Sequence, residues 1–239
     1  MPGIVVPEIV VYEDSHWTRF LPLVYVRPVW HLRCGMWDLL TRICRVASLP
    51  TCDGPCGVPG VNVGDRPIAG SCVAPSGPRL WCRPELAGVV REQTGQSVNT
   101  SQSGHALLLN GRGLWRRIPE VRASDSAWVG TVNSGRDVAC VYADETLAAS
   151  LSSPVMLDDQ RLAACLNGLA RRDVSDDVSL FDWPWQLIHR NEATLADDWS
   201  CVRELVAQDR RASDSHVSEG SYLLAPESIR IGAGSRIMP

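Results

Sequence analysis

The sequence contains no lysine, so all 23 of its cationic side chains are arginines. A Walker A phosphate-binding loop requires a lysine near its end, and its absence excludes that loop. Any cationic phosphate ligand must therefore be arginine, whose planar guanidinium can hold two phosphate oxygens at once. The formal net charge is −4 and the arginines form no concentrated basic stripe, so we expect no nucleic-acid partner.

Long apolar runs are also missing. No segment approaches the roughly 18 apolar residues that a membrane-spanning helix needs. The first residues, 1–6, carry no basic group and are soon followed by Glu13 and Asp14, which is unlike a secretory signal. We therefore expect a cytoplasmic protein with no membrane partner.

Cysteine is not scarce, but its arrangement excludes the common cysteine-based sites. The nine cysteines are an odd number and follow no secretory signal, so we expect reduced thiols. Cys52 and Cys56 are close enough to share a metal, yet a structural zinc site needs a second ligand pair. We expect an irregular Gly- and Pro-rich loop there, with no metal bound between the two cysteines.

Short buried runs alternate with helical patterns along the chain, which is long enough for one large domain, or for one domain and a fragment. We predict strands at 9–12, 106–109 and 138–142, and helices at 37–46, 84–93, 144–151, 158–170, 185–195 and 199–208. This alternation predicts an α/β fold with a mixed, mostly parallel sheet.

The last residues, 229–239, differ from the rest because apolar residues recur at the hexapeptide period of β-helix coils. One such coil cannot bury its own apolar face, and roughly three stacked repeats are needed for stability. We predict one domain at 1–225 and, at 226–239, the unpaired start of a left-handed β-helix. A dinucleotide-binding motif at Gly232 and Gly234 is the other interpretation, but it lacks a third glycine and a following helix.

Four stretches together resemble one family. They are Phe20–Gly35, which contains LPLVYVRPVWHLRCG; the turn Asn110-Gly111-Arg112; Phe181–Ile188, which contains a Pro-Trp pair; and the closing hexapeptide coil. They are similar to sugar nucleotidyltransferases that look like the N-terminal uridylyltransferase half of the bifunctional N-acetylglucosamine-1-phosphate enzyme (GlmU). The resemblance implies a Rossmann-like nucleotidyltransferase fold followed by a β-helix.

The resemblance also implies a reaction. The phosphate of a sugar 1-phosphate attacks the α-phosphorus of a nucleoside triphosphate, which gives a nucleotide sugar and pyrophosphate. Such chemistry relies on cations, so the resemblance implies Mg²⁺ and arginine contacts to the triphosphate. Arg27 and Arg33 follow the first strand at the ligand-binding edge of an open sheet, and we assign them to the phosphates as catalytic residues. Ion pairing with surface carboxylates is the alternative.

Further site residues follow from the same motifs. Asn110, Gly111 and Arg112 are expected to contact substrate, with Gly111 allowing close backbone approach, although a plain strand-end turn is the alternative. Asn110 stands where better-known relatives carry a metal-binding aspartate, and Asp182 is the second expected metal ligand. Trp183 is expected to stack on a sugar or base, with core packing as the alternative.

The sequence also departs from the family. The Gly-rich loop that grips the nucleotide is replaced by residues 11–16, which include Glu13 and Asp14, and the usual lysine is missing. Three hypotheses therefore remain: an enzyme that makes nucleotide sugars, a non-catalytic nucleotide- or sugar-phosphate-binding or regulatory domain, and a support for a C-terminal hexapeptide acyltransferase. A continued β-helix would be a route to a homo-oligomer.

Overall fold

The computed structural model describes residues 7–49, 77–102, 104–208 and 216–226, together with 229, 231 and 235–239; for 202–208 it describes the backbone alone. The expectations for Cys52 and Cys56 lie outside the described residues.

A six-stranded sheet forms the centre of the described chain. Its strands, in spatial order, are β4 (Arg79–Trp81), β1 (Glu8–Tyr12), β5 (Ala106–Asn110), β8 (Asp137–Ala143), β7 (Trp128–Val132) and β9 (Ala170–Asp173). The strand β8 pairs antiparallel with both neighbours, and the remaining pairings in the sheet are parallel. The predicted α/β architecture with a mixed, mostly parallel sheet is therefore confirmed.

The middle of the sheet forms because its strands are apolar on both faces. Every residue of β5 is buried, and the side chains of Val10 and Val11 in β1 lie in two different core clusters. Continuous apolar runs are typical of parallel strands that are covered on both sides. The pairing of Tyr12 with Asn110 brings the carboxyl ends of β1 and β5 to the same edge.

The helices are α1 (Leu39–Val46), α2 (Ala87–Thr94), α3 (Glu145–Ser150), α4 (Ser153–Met156), α5 (Asp159–Cys165) and α6 (Pro184–Gln208). Among the described residues, 3₁₀ turns lie at Ser15–Phe20, Val29–His31 and Pro84–Leu86. Small two-stranded sheets pair β2 (Arg33–Cys34) with β3 (Trp37–Asp38) and β6 (Gly113–Trp115) with β10 (Val178–Leu180).

Several predicted helix boundaries need correction. The helix expected at 37–46 begins at Leu39, because the Asp38 carboxylate accepts a hydrogen bond from the Thr41 backbone N–H at 2.7 Å and caps it. The helix expected over 158–170 ends at Cys165, and residues 170–173 form β9 instead. The two helices expected at 185–195 and 199–208 are one continuous helix, α6.

The C-terminal residues form a small parallel pair. His216–Val217 (β11) pairs with Arg236–Ile237 (β12), so the expectation that 226–239 is unpaired is wrong. The start of a left-handed β-helix stays a prediction. In the described part of the chain, no helix combines the length and the apolar character that crossing a membrane requires.

Candidate functional site

The guanidinium of Arg112 lies at the centre of a polar cluster at the edge where β1 and β5 end. Its Nε donates to Asp14 Oδ2 at 2.7 Å, and its Nη1 donates to Asp182 Oδ1 at 2.9 Å and to the Phe181 carbonyl at 2.8 Å. Its Nη2 lies 3.0 Å from His16 Nδ1 and 3.8 Å from Asp137 Oδ1. We call Arg112, Asp14, Asp137, Asp182 and His16 the Arg112 cluster.

This arginine is a charge held inside the protein, because the side chain is only 1% exposed. Burial lowers the pKa of the Arg112 guanidinium, but the carboxylates of Asp14, Asp182 and Asp137 outweigh it and raise the pKa above its usual value. The guanidinium therefore stays charged and neutralises part of the acidic charge around it. The hydrogen-bond partners described for the Arg112 guanidinium are all residues of the protein. The predicted contact between Arg112 and substrate stays a prediction.

Asn110, at the end of β5, orients the cluster. Its Nδ2 donates to Asp14 Oδ2 at 2.8 Å and to the Val138 carbonyl at 3.2 Å, while its Oδ1 accepts the Arg112 backbone N–H at 3.1 Å. Asn110 is fully buried, so its side-chain oxygen does not face solvent. That oxygen also already accepts a hydrogen bond from the Arg112 backbone. The side chain fits a role in positioning Asp14 better than the predicted role as a metal ligand.

Three side chains of the cluster could hold a metal ion. Ligand atoms of His16, Asp137 and Asp182 all lie within 4.8 Å of one another. The predicted ligand Asp182 is one of them, whereas the predicted metal-ligand role of Asn110 stays a prediction. Carboxylate oxygens suit Mg²⁺, whereas an imidazole nitrogen suits transition metals better, so the two aspartates are the part of this set that fits Mg²⁺.

Sequence reasoning did not identify Asp137. It is the first residue of β8, and β8 is the antiparallel strand of the sheet. The beginning of an antiparallel strand lies at the same edge as the carboxyl ends of its parallel neighbours. An acidic residue at the start of a strand of unknown direction could therefore be assigned to the site only after the direction was known.

Gly111 is required by packing rather than by an observed ligand. A Cβ atom at this position would lie 2.7 Å from Cε3 of Trp30 and 3.1 Å from the Tyr12 carbonyl oxygen. The Gly111 backbone N–H donates to that same oxygen at 2.8 Å. The missing side chain lets the turn after β5 lie against the buried indole of Trp30.

Arg27 and Arg33 are exposed and are not members of the Arg112 cluster. Arg27 lies in the segment after the first 3₁₀ turn, and Arg33 lies in β2, where its register partner is Asp38 of β3. A different arginine reaches the cluster from the surface: Arg19 Nη1 lies 3.2 Å from Asp182 Oδ1. Arg19 was not identified from the sequence, because nothing in its neighbourhood distinguishes it.

A buried ion pair fixes the segment that carries Arg27. Glu13 accepts the backbone N–H groups of Val29 at 2.9 Å and of Arg83 at 3.2 Å. The Arg83 guanidinium in turn donates to the carbonyl of Val24 and, at 3.1 Å, to the carbonyl of Arg27. Burial raises the pKa of Glu13, whereas Arg83 acts in the opposite direction. Glu13 and Arg83 therefore hold the segment around Arg27 against the end of β1.

Trp183 is exposed, so the core-packing alternative for this residue is wrong. Its ring stacks on that of Trp185, with centroids 5.0 Å apart and planes 7° from parallel. The Arg19 guanidinium carbon lies 5.6 Å from the Trp183 ring centroid. Since Arg19 also pairs with Asp182, this aromatic pair adjoins the Arg112 cluster. The expected stacking of Trp183 on a ligand stays a prediction.

Comparisons with known proteins cover part of the chain. Residues 9–53 match a family model described as sugar nucleotidyl transferase. No curated protein matches the chain. Among solved structures, the chain is similar to a Bacillus anthracis protein assigned as a glucose-1-phosphate thymidylyltransferase and crystallised with sucrose. The identity is 10% and the TM-score 0.43, over 80% of this chain and 96% of that chain.

The family match includes all of β1 except Glu8, the 3₁₀ turn that follows it and α1, and with them Asp14, His16, Arg27 and Arg33. At the level of the family, it supports the resemblance to sugar nucleotidyltransferases. The closer resemblance to the uridylyltransferase half of GlmU stays a prediction. The segment of this chain that is similar to sugar nucleotidyl transferases is therefore the one that supplies two members of the Arg112 cluster and both predicted phosphate-binding arginines.

Proposed function

We propose that the chain is a nucleotidyltransferase that transfers a nucleotidyl group from a nucleoside triphosphate to a sugar 1-phosphate. The observation that carries the proposal is the Arg112 cluster, which gathers buried and half-buried charges at the edge where β1 and β5 end. Open α/β sheets bind their ligands at that edge. The match of residues 9–53 to sugar nucleotidyl transferases supports the same conclusion.

The roles of the side chains follow from their charge and exposure. Arg27 and Arg33 are exposed cations on the matched segment, and we assign them to the triphosphate because a guanidinium can bind two phosphate oxygens at once. Asp137 and Asp182 would hold Mg²⁺, which when bound would shield the negative charge of the phosphates. Arg112 and Asn110 would keep Asp14 and Asp182 in place, because both make hydrogen bonds inside the cluster.

A non-catalytic domain that binds a nucleotide or a sugar phosphate is the second candidate. It is favoured by the position of Arg112, whose guanidinium already neutralises the carboxylates that would otherwise attract a metal. The absence of the Gly-rich loop and of lysine also favours it. Such a domain would still bind a nucleotide or a sugar phosphate, but it would not catalyse nucleotidyl transfer.

Two measurements on the same protein separate the candidates. Pyrophosphate release would be followed with a panel of nucleoside triphosphates and sugar 1-phosphates, with and without Mg²⁺, and binding of the same compounds would be measured by calorimetry. The transferase gives pyrophosphate only when both substrates are present, and the binding domain gives heat of binding without turnover. Neither signal from any compound would remove both candidates.

The role of the two arginines is tested by substitution. Arg27→Ala or Arg33→Ala should weaken triphosphate binding roughly 10- to 150-fold, because a bidentate arginine–phosphate contact is lost. Arg→Lys at either position should recover part of the affinity, since the charge remains and the fork geometry does not. Arg91→Ala, at an exposed position of α2, is the matched control. Equal affinity in all variants would exclude Arg27 and Arg33 from the site.

A further inference from the structure

The helix α6 packs against the protein through an unusually polar face. The buried side chains among its described residues are Leu187, Thr194 and Asp198. Asp198 Oδ2 accepts the Met36 backbone N–H at 2.8 Å and the Arg42 Nη2–H at 2.7 Å. These contacts attach α6 to the β2–β3 hairpin by a hydrogen bond and to α1 by an ion pair.

Apart from Leu187, the large apolar side chains among the described residues of α6 lie elsewhere. Trp185, Ile188, Leu195 and Trp199 are 51%, 74%, 45% and 37% exposed. Their spacings of three, seven and four residues place them along one face, roughly a third of a turn from the buried face. A helix at the surface of a protein normally buries its apolar face and exposes its polar one. We call these four residues the α6 stripe.

The size of the α6 stripe is suited to a small interface. It runs over about 21 Å of helix at 1.5 Å per residue. Its exposed apolar area is roughly 300–400 Å², so two copies facing each other would bury about 600–800 Å² of apolar surface. With a polar rim in the usual proportion, the total is about 1,000 Å², the lower end for a specific protein–protein contact.

The order of residues in the stripe is symmetrical about Glu192 to within one residue. When two copies of α6 lie antiparallel with a two-fold axis at this position, Trp185 lies opposite Trp199 of the partner subunit. Ile188 and Leu195 lie four and three residues from Glu192, so Ile188 faces Leu195 of the partner subunit with an offset of one residue, or about 1.5 Å along the helix. A two-fold interface requires such self-complementarity, because each contact must occur twice with its members exchanged. Large apolar residues of the two helices thus face each other along the whole stripe except at its centre.

We propose that the α6 stripe is the interface of a homodimer in which two α6 helices pack antiparallel about Glu192. Glu192 is exposed and lies on the same face as the stripe, between Ile188 and Leu195. In the dimer the two Glu192 carboxylates meet near the axis, where like charges repel. The dimer is therefore weak, and its affinity is limited by this one residue.

Sedimentation equilibrium of the 239-residue chain over a wide concentration range tests the proposal. The wild type should show a concentration-dependent dimer. Ile188→Glu should weaken it on the order of 100-fold, since two apolar contacts are lost and two charges added. Glu192→Leu should strengthen it by at least about tenfold, because it removes the repulsion and completes the stripe. Val89→Glu alters an exposed apolar residue of α2 and should leave the dimer unchanged.

A disulfide provides a test of the register. Residues beside a two-fold axis lie close to their own copies, so Glu192→Cys should give a covalent dimer under mild oxidation, and Val89→Cys should not. Circular dichroism would show that every variant is folded. The proposal is overturned if wild type and Glu192→Leu are both monomeric at all concentrations, as expected if the stripe binds a different protein. It is also overturned if Ile188→Glu dimerises as well as wild type.

Discussion

The Arg112 side chain holds together two carboxylates at the end of the central strands. Its guanidinium is almost fully buried, yet it satisfies two carboxylates and a main-chain carbonyl at distances between 2.7 and 2.9 Å. Removing one partner from such a buried arrangement is costly, since the remaining charges lose their counterion. Arg112, for which the sequence predicts a substrate contact, is thus a structural centre of the cluster.

The substitution Arg112→Met keeps most of the side-chain volume and removes the charge. We expect it to lower the free energy of unfolding by about 3–5 kcal/mol, because the buried Asp14 loses its arginine and Asp182 keeps only the half-exposed Arg19. Urea denaturation would measure the change, with Arg91→Ala as the surface control that should shift it by less than about 0.5 kcal/mol.

A second substitution in the same background tests the cause. Arg112→Met combined with Asp14→Asn should be more stable than Arg112→Met alone, because one of the uncompensated charges is removed. An unfolding free energy for Arg112→Met within about 0.5 kcal/mol of wild type would mean that the carboxylates do not depend on this arginine.

At the scale of elements, the turn between β5 and β6 depends on a missing side chain. Gly111 lies so close to Trp30 and to the end of β1 that a single added carbon would overlap the indole. The position of this turn fixes Asn110 and Arg112 on either side of it. The packing of one glycine therefore determines where the Arg112 cluster lies relative to β1.

Two glycine-to-alanine substitutions should have opposite effects. Gly111→Ala should lower the free energy of unfolding by about 1–3 kcal/mol, because Trp30 must move. Gly88→Ala, in α2, meets no atom within 4 Å and should raise it by roughly 0.5–1 kcal/mol, since alanine favours helix. Urea denaturation would measure both changes, and near-ultraviolet circular dichroism should report altered tryptophan packing in Gly111→Ala alone. Similar changes for both variants would contradict the packing role of Gly111.

On the scale of the whole molecule, the elements with a strong local pattern were predictable and those without one were not. The apolar runs of β1 and β5 predicted buried strands, and both are present. The strand β9 has the sequence Ala-Arg-Arg-Asp and is exposed throughout, so only its pairing with β7 makes it a strand.

The candidate site was predictable to a similar extent. The carboxyl ends of β1 and β5 were identified as its location, and Asp182 and Arg112 as members. The roles of Asp137 and Arg19 depend on strand direction and on contacts between residues 163 positions apart, which no local pattern encodes. The burial of Arg112 was likewise hidden, because a buried arginine requires partners that only the folded chain supplies.

The thiols report on the stability of the whole molecule. Burial raises the pKa of Cys82 and of Cys140 to about 12, whereas Cys201 in α6 is exposed. Alkylation requires the thiolate, so at pH 8 we expect Cys201 to react with iodoacetamide before Cys82 and Cys140, which should react only when the core opens.

Peptide mass spectrometry at successive times would follow each cysteine separately. In urea at the unfolding midpoint, the three rates should converge. Rapid modification of Cys140 in the absence of urea would show that the sheet opens locally.

The Arg112 cluster also bears on the order of events during folding. Arg112 is 98 positions from Asp14 and 70 positions from Asp182, so its contacts close two long loops of chain. Closing such loops lowers the conformational entropy of the chain before the new contacts can stabilise it. Contacts between distant residues therefore slow folding. We infer that the cluster assembles after the central strands have paired, on the native side of the transition state. Its contacts would then act mainly on the lifetime of the folded molecule, by slowing unfolding, rather than on the speed with which that molecule forms.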